Sequence, residues 1–240
     1  MKSFKHQVVQ GVQRQKEFVP AERFHQALTA KLEKHFLIAV AKRLPPWIKS
    51  DHLTLFAFLG SILACFAYYM TNQALWWIHV ASLGIFITWF GYALDGTIAR
   101  VRNVGRERYG FYLDHLLDML SVLFVFTGLA LSPFVSLIPA MAGLITYYLL
   151  AMYAYLLTYV AKVLKLSYGI MGPTETRIIL VLFQTFYVLK PDLGVTIAGH
   201  YLTLFEVMLL IVAMVIGATF LISALQTLII LDEIDPLVDD

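Results

Sequence analysis

Residues 53–70 read LTLFAFLGSILACFAYYM, 18 residues without a charged side chain. Such a run is long enough to cross the hydrocarbon core of a bilayer as one helix. The whole 240-residue chain has the same character, with 60% hydrophobic residues, 14% charged residues and a mean hydropathy of +0.74. Soluble domains hold about 45–50% apolar and about 25% charged residues, and disordered chains are poor in aromatic residues. Both classes are therefore excluded, and the sequence predicts an integral membrane protein.

Five further apolar runs follow the first. Together they predict an all-α, polytopic membrane protein with six transmembrane helices. The fifth run begins after Gly172-Pro173, and proline is favoured in the first turn of a helix. The six spans are predicted at residues 53–70, 75–99, 111–131, 135–163, 173–190 and 202–231.

These spans divide the chain into three segments. We predict a basic N-terminal tail over residues 1–51, a membrane domain over 52–231 and an acidic tail over 232–240. In the N-terminal tail, apolar residues recur every three or four positions with lysines between them, which is typical of an amphipathic helix. This helix either lies on an anionic membrane surface or packs only on protein. Its apolar positions are Phe24, Leu28, Leu32, Phe36, Ala39 and Val40.

The basic residues are divided very unevenly between the two ends of the spans. Of the 18 Lys and Arg, ten precede the first span, four lie between the second and third, and three lie near the fourth-to-fifth connection. Only Lys190 lies at the opposite ends. The positive-inside rule therefore predicts that both termini and the two basic connections, second-to-third and fourth-to-fifth, are cytoplasmic. A bacterial inner membrane and an internal eukaryotic membrane both meet this expectation.

Acidic residues are absent from residues 52–94 and then cluster at Asp95, Asp114 and Asp118. The last two are four residues apart, so they share one helix face, and the short connection lets Asp95 face them. Carboxylates at membrane depth repel one another unless a cation neutralises them. Oxygen ligands favour Mg²⁺, Mn²⁺ or Ca²⁺, and the single cysteine, Cys65, excludes a disulfide or a cysteine-based metal site.

Small and basic residues surround the acidic cluster. Gly96, Ala99 and Gly110 would let a ligand or a neighbouring backbone approach closely, and Arg100 can hold phosphate. With a cation, these residues indicate a phosphate-bearing nucleotide or lipid headgroup as ligand. His115 projects about 100° away from its acidic neighbour around the helix, so it either touches substrate or lies at an interface.

Two adjacent motifs carry a specific resemblance. Residues 95–100 read DGTIAR and residues 110–118 read GFYLDHLLD, with nine residues between them. They resemble the signature of the CDP-alcohol phosphotransferase family, D-x-x-D-G-x-x-A-R followed by G-x-x-x-D-x-x-x-D, at seven of its eight fixed positions. Residues 46–54, PWIKSDHLT, also resemble the start of that family's first span. The family's six helices, amphipathic N-terminal helix and cytoplasmic site are similar to the architecture that hydropathy predicts.

The resemblance implies an enzyme of phospholipid biosynthesis that attacks a CDP-linked donor with an acceptor hydroxyl and releases CMP. The donor would be CDP-diacylglycerol or a CDP-linked amino alcohol, the acceptor an alcohol or a lipid, and the cofactors one or two divalent cations, Mg²⁺ or Mn²⁺. By position, the metal ligands would be Asp95, Asp114 and Asp118, the last also as general base, and the residues around the nucleotide would be Gly96, Ala99, Arg100 and Gly110.

One position departs from the signature. The family's first aspartate falls on Tyr92, and a neutral phenol is a poor replacement for a carboxylate that bridges Mg²⁺. Either one cation is held more weakly, or a carboxylate from another helix substitutes, or the reaction is lost. Glu175, at the predicted start of the fifth span, is the candidate substitute. Its alternative role is to stabilise the first turn of its own helix through the helix dipole.

Three functions are therefore weighed. The first is the phosphotransferase, and the second is a catalytically weakened or silent relative that acts as a nucleotide- or lipid-binding module. The third is a cation transporter, which the position of the acids at the cytoplasmic edge disfavours. Membrane lipids are expected partners, the aromatic third and fourth spans would allow a homodimer, and no nucleic acid is expected to bind. Glu206, far from the motif, is expected to pair within the bundle.

Overall fold

The computed structural model describes residues 22–24, 30–165, 173–197 and 199–235, most of them in helices. β1 and β2 pair in parallel, and β3 and β4 form an antiparallel pair. The strands are β1 (Glu22–Phe24), β2 (Val163–Lys165), β3 (Gly194–Ile197) and β4 (His200–Thr203). The helices are α1 (Ala30–Arg43), α2 (Ser50–Met70), α3 (Trp77–Arg102), α4 (Glu107–Ala130), α5 (Leu137–Ala161), α6 (Pro173–Leu189) and α7 (Leu204–Ile234).

The predicted class of an all-α, polytopic membrane protein is confirmed. In the described part of the chain, five helices are long and apolar enough to cross a membrane, namely α2, α3, α4, α5 and α7. The remaining predicted span corresponds to α6, whose 17 residues reach about 26 Å. That length is at the lower limit of a membrane span, so a sixth crossing stays a prediction.

The helices differ from the predicted spans by a few residues at several ends, and local backbone chemistry explains the end of α5 and the start of α7. α5 ends at Ala161, since Lys162 adopts a left-handed φ of 57°, and residue 163 lies in β2. Leu202 lies in β4 instead of the last helix. α7 begins at Leu204, because the Thr203 side chain accepts a hydrogen bond from the backbone N–H of Glu206. α7 also continues to residue 234, past the predicted boundary of the acidic tail.

Glycines bring α2 and α3 into close contact. A Cβ atom added at Gly84 would lie 2.7 Å from the carbonyl oxygen of Gly60, and one at Gly91 would lie 2.7 Å from that of Leu53. Because no larger side chain fits there, the two backbones approach as closely as small residues allow. This packing sets the last turns of α3, which carry the first half of the acidic motif, beside the first turns of α2.

One face of α1 packs on the bundle. Leu37 and Ala41 are buried in a cluster with Leu53, Leu94 and Ile98 of α2 and α3. The other face is open, and the side chain of Phe36 is 51% exposed. α1 therefore makes extensive protein contact, while contact of its open face with a membrane surface stays a prediction.

The N-terminal helix begins later than its apolar pattern predicts. Phe24 lies in β1, where pairing with β2 holds the backbone extended, and the described part of α1 starts at Ala30. Leu28 and the side chain of Leu32 lie outside the described residues. The helix assignment at Phe24 is therefore wrong, because a tertiary strand contact overrides a local helical pattern.

Glu206 joins the starts of two helices. Its Oε1 accepts a hydrogen bond from the backbone N–H of Ser136 at 2.7 Å, directly before α5. Its Oε2 accepts one from the backbone N–H of Thr203 at 2.8 Å, directly before α7. The bond within α7 belongs to a capping box, and the bond to Ser136 extends it to a second helix. Glu206, which was expected to pair within the bundle, therefore pairs with backbone N–H groups.

Candidate active site

The signature motif spans the end of α3 and the start of α4. Asn103 caps α3 with a φ of 54°, a left-handed conformation that asparagine tolerates better than most residues. The backbone N–H of Val104 bonds to the carbonyl oxygen of Ala99 at 3.2 Å and completes the helix end. α4 starts only a few residues later. This short reversal lays the first turns of α4 against the last turns of α3 and brings the two halves of the motif together.

Asp95 and Asp114 form a carboxyl pair between these helices. Asp95 is 4% exposed, and its carboxyl group interacts directly with that of Asp114. Thr54 of α2 donates its hydroxyl proton to Oδ2 of Asp95 at 2.7 Å, and the backbone N–H of Gly96 donates to Oδ1. Asp114 is 36% exposed, so the pair opens to the surface on the α4 side. Two ionised carboxylates in this contact repel each other unless a cation or a shared proton lies between them.

Asp118, one turn further along α4, has different partners. Its Oδ1 lies 3.3 Å from Nη2 of Arg177 on α6, and this distance makes an ion pair. The hydroxyl of Tyr147 on α5 lies 3.5 Å from its Oδ2. The third carboxylate of the motif thus already faces a cationic side chain of the protein, whereas the first two face each other.

The chemistry of this donor set can be compared with the needs of a metal ion. Across the described ranges, no three acidic, histidine or cysteine side chains lie together as a ready metal-binding group. The Asp95 and Asp114 carboxyl groups do supply several oxygen atoms at one place, and oxygen is the donor that Mg²⁺ and Mn²⁺ prefer. The pair therefore fits a hard divalent cation.

Tyr92 lies on α3 one turn before Asp95, at the position where the resemblance predicts the first aspartate of the signature. Its hydroxyl forms a hydrogen bond of 2.8 Å with Oγ of Ser121 on α4. Asp114, Asp118 and Arg177 are all close enough to act on it electrostatically. The phenol therefore points into the acidic site, but it contributes a bond to α4 in place of a carboxylate.

The start of α6 is tied to two other helices. Trp89 of α3 donates its indole N–H to Oγ1 of Thr174 at 3.1 Å, and Thr174 donates its hydroxyl proton to Oε2 of Glu33 on α1 at 2.9 Å. Glu175 follows in the first turn of α6 and is 8% exposed. These bonds hold the first turn of α6 beside α3, and Arg177, three residues after Thr174 on the same helix, reaches Asp118.

The other predicted site residues lie around the mouth of the motif. A Cβ atom at Gly110 would meet no described atom within 4 Å, so there is open space beside it. Gly96 and Ala99 are half-buried, and Arg100 is exposed and donates to Oγ1 of Thr97 at 3.2 Å. The space and the guanidinium group could receive a phosphate-bearing ligand.

His115 lies among aromatic rings. It stacks on Phe111 with ring centroids 4.1 Å apart and meets the edge of Tyr155 at 5.2 Å. Its Nδ1 lies 2.7 Å from the carbonyl oxygen of Phe111 and 3.8 Å from Oδ2 of Asp114. These contacts agree better with a residue at a helix interface than with one directed at substrate.

Arg102 holds the connection between α1 and α2. Its guanidinium group donates to the carbonyl oxygens of Leu44 at 2.8 Å, Pro45 at 3.0 Å and Ile48 at 2.6 Å. The last turn of α3 thereby holds the segment that leads into α2. This arginine therefore has a structural role close to the site.

A cavity of about 150 Å³ adjoins Asp118. It lies among α3, α4, α5, α6 and α7, and its wall is mostly aliphatic and aromatic. Asp118, Ser121, Tyr147 and Arg177 form a polar part of its lining. Such a space suits the apolar part of a ligand whose polar group reaches the carboxylates.

Sequence reasoning missed three features of this site. Thr54 is in the segment that resembles the start of the first span, but nothing in its spacing shows that its hydroxyl meets Asp95. Tyr147 has no sequence signal at all, since it is one of several tyrosines in an apolar helix. The cavity was also not predicted, because its wall is formed by residues of five helices and no sequence pattern within one helix indicates it.

Comparison with known proteins agrees with this geometry. A family model described as CDP-alcohol phosphatidyltransferase matches residues 47–219, from the segment before α2 to the middle of α7. No curated protein matches the chain. The family consists of membrane phosphotransferases of phospholipid synthesis that generally use divalent metal ions. Because the match covers well over half of the 240 residues, the chain belongs to the CDP-alcohol phosphatidyltransferase family.

Proposed function

We propose that this protein transfers a phosphoryl-alcohol group from a CDP-linked donor to an acceptor hydroxyl and releases CMP, in phospholipid biosynthesis. The observation that carries the proposal is the arrangement of the three motif aspartates. Asp95 and Asp114 are in contact at a partly open site, and Asp118 lies one turn away beside a mostly apolar cavity. A polar centre for a diphosphate and an apolar space for a lipid thus adjoin each other.

Asp95 and Asp114 would hold a divalent cation, Mg²⁺ or Mn²⁺. When bound, the ion neutralises charge on the diphosphate and stabilises the leaving CMP. Thr54 holds Oδ2 of Asp95 in position with its hydrogen bond of 2.7 Å. Bonds of this kind orient the ligands of metal sites.

The resemblance implies two roles for Asp118, as a metal ligand and as a general base. The contacts of Asp118 favour the role of general base. Arg177 engages Oδ1, and Oδ2 has only the long contact of 3.5 Å with Tyr147. Oδ2 is therefore the atom that accepts the proton of the acceptor hydroxyl. The hydroxyl oxygen forms a bond to the β-phosphorus of the donor, the bond from that phosphorus to the CMP oxygen breaks, and CMP leaves.

The lipid substrate would place an apolar chain in the cavity beside Asp118. Its wall includes Val125, Phe126, Leu180 and Phe183, so the chain would contact mostly hydrocarbon and aromatic surfaces. The nucleotide would lie at the open end of the motif, next to Gly96, Ala99, Arg100 and Gly110. By the positive-inside rule, this end, residues 1–51 and residues 232–240 face the cytoplasm.

Measurement of CMP release tests the proposal. The purified full-length protein is incubated with Mn²⁺ or Mg²⁺ and two kinds of substrate pair. One pair is CDP-diacylglycerol with a small polar alcohol, and the other is a CDP-linked amino alcohol with diacylglycerol. We expect one kind of pair to give CMP, and EDTA to abolish its release. If no pair gives CMP, the proposed reaction is wrong.

A silent relative that only binds nucleotide or lipid is the second candidate, because Tyr92 is bonded to Ser121 where the signature has a carboxylate. The variant Tyr92→Asp separates the two functions. If native protein binds CDP without turnover and Tyr92→Asp gains turnover, the silent relative is correct. If native protein already releases CMP, the enzyme is correct.

A further inference from the structure

A chain of hydrogen bonds links the first turn of α6 to α3 and to α1. The indole N–H of Trp89 donates to Oγ1 of Thr174 at 3.1 Å, and the Thr174 hydroxyl donates to Oε2 of Glu33 at 2.9 Å. Thr174 is buried, with 8% of its surface exposed. A hydrogen bond to a carboxylate is stronger than one between neutral groups. The side chain of Glu33 therefore holds the start of α6 from a separate helix.

Arg177 follows Thr174 by three residues on α6. Residues at this spacing lie on the same side of a helix, about one turn apart, so a bond at Thr174 restrains the position of Arg177. Nη2 of Arg177 lies 3.3 Å from Oδ1 of Asp118. A shift of about 1 Å would take these two atoms beyond the distance of a hydrogen bond. The contact at Asp118 therefore depends on where the first turn of α6 lies.

The far half of α6 is fixed by a different bond. Gln184, two turns after Arg177, is fully buried, and its Oε1 accepts a hydrogen bond from the hydroxyl of Tyr68 on α2 at 2.6 Å. With this half held in the bundle, a tilt of α6 would move its first turn most, because that turn is about 15 Å away. The bonds of Thr174 oppose such a tilt at the end that carries Arg177.

Glu33 precedes the part of the chain that matches the family, which begins at residue 47. Its helix nevertheless packs beside the motif, since Leu37 is buried in a cluster with Leu94, the residue before Asp95. One face of α1 thus lies against the end of α3, while Glu33 reaches the start of α6. α1 therefore connects two of the helices that carry site residues.

We propose that Glu33 is a positioning residue of the active site. Through its bond with Thr174 it fixes the first turn of α6, and that turn sets the contact of Arg177 with Asp118. The inference rests on the proposed function, in which Oδ2 of Asp118 accepts the proton of the acceptor hydroxyl while Arg177 holds Oδ1. Glu33 acts through α6 and is not itself a catalytic residue.

Turnover of the purified full-length protein, with the substrate pair that gives CMP, tests this inference. Glu33→Ala should lower kcat by about 10-fold or more. The KM of the CDP-linked donor should stay near the native value, because the donor is proposed to bind at α3 and α4. Glu33→Gln keeps an oxygen acceptor for Thr174 and should recover most of the native kcat. Lys34→Ala, at the neighbouring exposed position of α1, is the matched control and should behave as native protein.

Variants of Thr174 keep the test valid if Glu33→Ala does not fold. Thr174→Val has nearly the shape of threonine but lacks the hydroxyl that donates to Glu33. It should lower kcat to a similar extent as Glu33→Ala. Thr174→Ser keeps a hydroxyl at the same place and should stay close to native.

Thermal unfolding in detergent gives a second measurement that does not need turnover. If Glu33 only stabilised its own surroundings, the losses of unfolding temperature in Glu33→Ala and Arg177→Gln would add in the double variant. If Glu33 fixes Arg177, the double variant should lose less than the sum of the two single variants. Lys34→Ala combined with Arg177→Gln is the control and should be additive.

Three results would overturn the inference. They are a native kcat in Glu33→Ala or Thr174→Val, a raised donor KM with unchanged kcat in Glu33→Ala, and additive losses of unfolding temperature in Glu33→Ala with Arg177→Gln. Additive losses in a protein that releases CMP would contradict this inference and leave the proposed function intact. Non-additive losses in a protein that releases no CMP would contradict the proposed function alone.

Discussion

Asp95 and Glu206 are equally buried acids at different places in the bundle. Each is 4% exposed. Glu206 uses both oxygens to accept hydrogen bonds from backbone N–H groups at the starts of α5 and α7. Asp95 also accepts two hydrogen bonds, from Thr54 and Gly96, but its carboxyl group faces that of Asp114.

The difference shows that burial of an acid in a membrane protein does not by itself indicate function. The charge of Glu206 is compensated by the positive ends of two helices, which need such an acceptor. The negative charge of Asp95 is repelled by that of Asp114, and this repulsion is unfavourable in the absence of a ligand. The nature of the partners therefore distinguishes the structural acid Glu206 from Asp95, the acid that we propose to act in catalysis.

Asp95→Asn should have the largest effect on turnover. We expect CMP release to fall by more than about 100-fold, since losses of 10- to 100-fold are typical of residues that only support a metal ligand. Thermal stability should stay equal or rise, because the amide removes the repulsion from Asp114. Assays of CMP release and of thermal unfolding in detergent measure the two effects.

The exposed acid Asp51 provides a matched control, and Asp51→Asn should retain turnover. If Asp95→Asn retained full turnover, or lost it together with a large drop in unfolding temperature, Asp95 would be a structural acid like Glu206.

Thr54→Val should have an intermediate effect. Valine keeps the shape of threonine but removes the hydroxyl that donates to Oδ2 of Asp95. We expect turnover and Mn²⁺ affinity to fall together by about 10- to 100-fold. In Thr146→Val, whose hydroxyl bonds only to carbonyl groups of its own helix, both should stay near the native values. Equal turnover and equal Mn²⁺ affinity in the two variants would show that the hydrogen bond from Thr54 does not orient the Asp95 carboxylate.

Glu206→Gln should have the smallest effect on turnover and act on stability instead. The amide nitrogen cannot accept, so one of the two backbone N–H groups loses its acceptor, at a cost of about 1–3 kcal/mol. Turnover per folded molecule should stay close to native. Asp232→Asn, at an exposed position of the same helix, is the control for unfolding experiments. A selective loss of turnover in Glu206→Gln would contradict the structural role of this acid.

Much of the fold follows from local properties of the chain. Apolar runs predict the helices, and the described part of α6 begins at Pro173, where the sequence predicts a first helical turn. The errors at Phe24 and Leu202 have a common cause, since both residues pair with a second strand. Strand pairing depends on a second segment that is adjacent in space, whether it is near or distant in the sequence. An apolar or helical pattern within one segment carries no information about that partner.

The sequence by itself determined the membrane class and the spacing of the acidic motif, because hydropathy and residue spacing are read along a single segment. Only the tertiary structure decided which partners each acid of the motif contacts. It brings Thr54 to Asp95 from 41 positions away and Arg177 to Asp118 from 59 positions away. These contacts depend on how α2 and α6 pack against α3 and α4, and close packing at glycines such as Gly84 and Gly91 is what allows α2 to reach the motif.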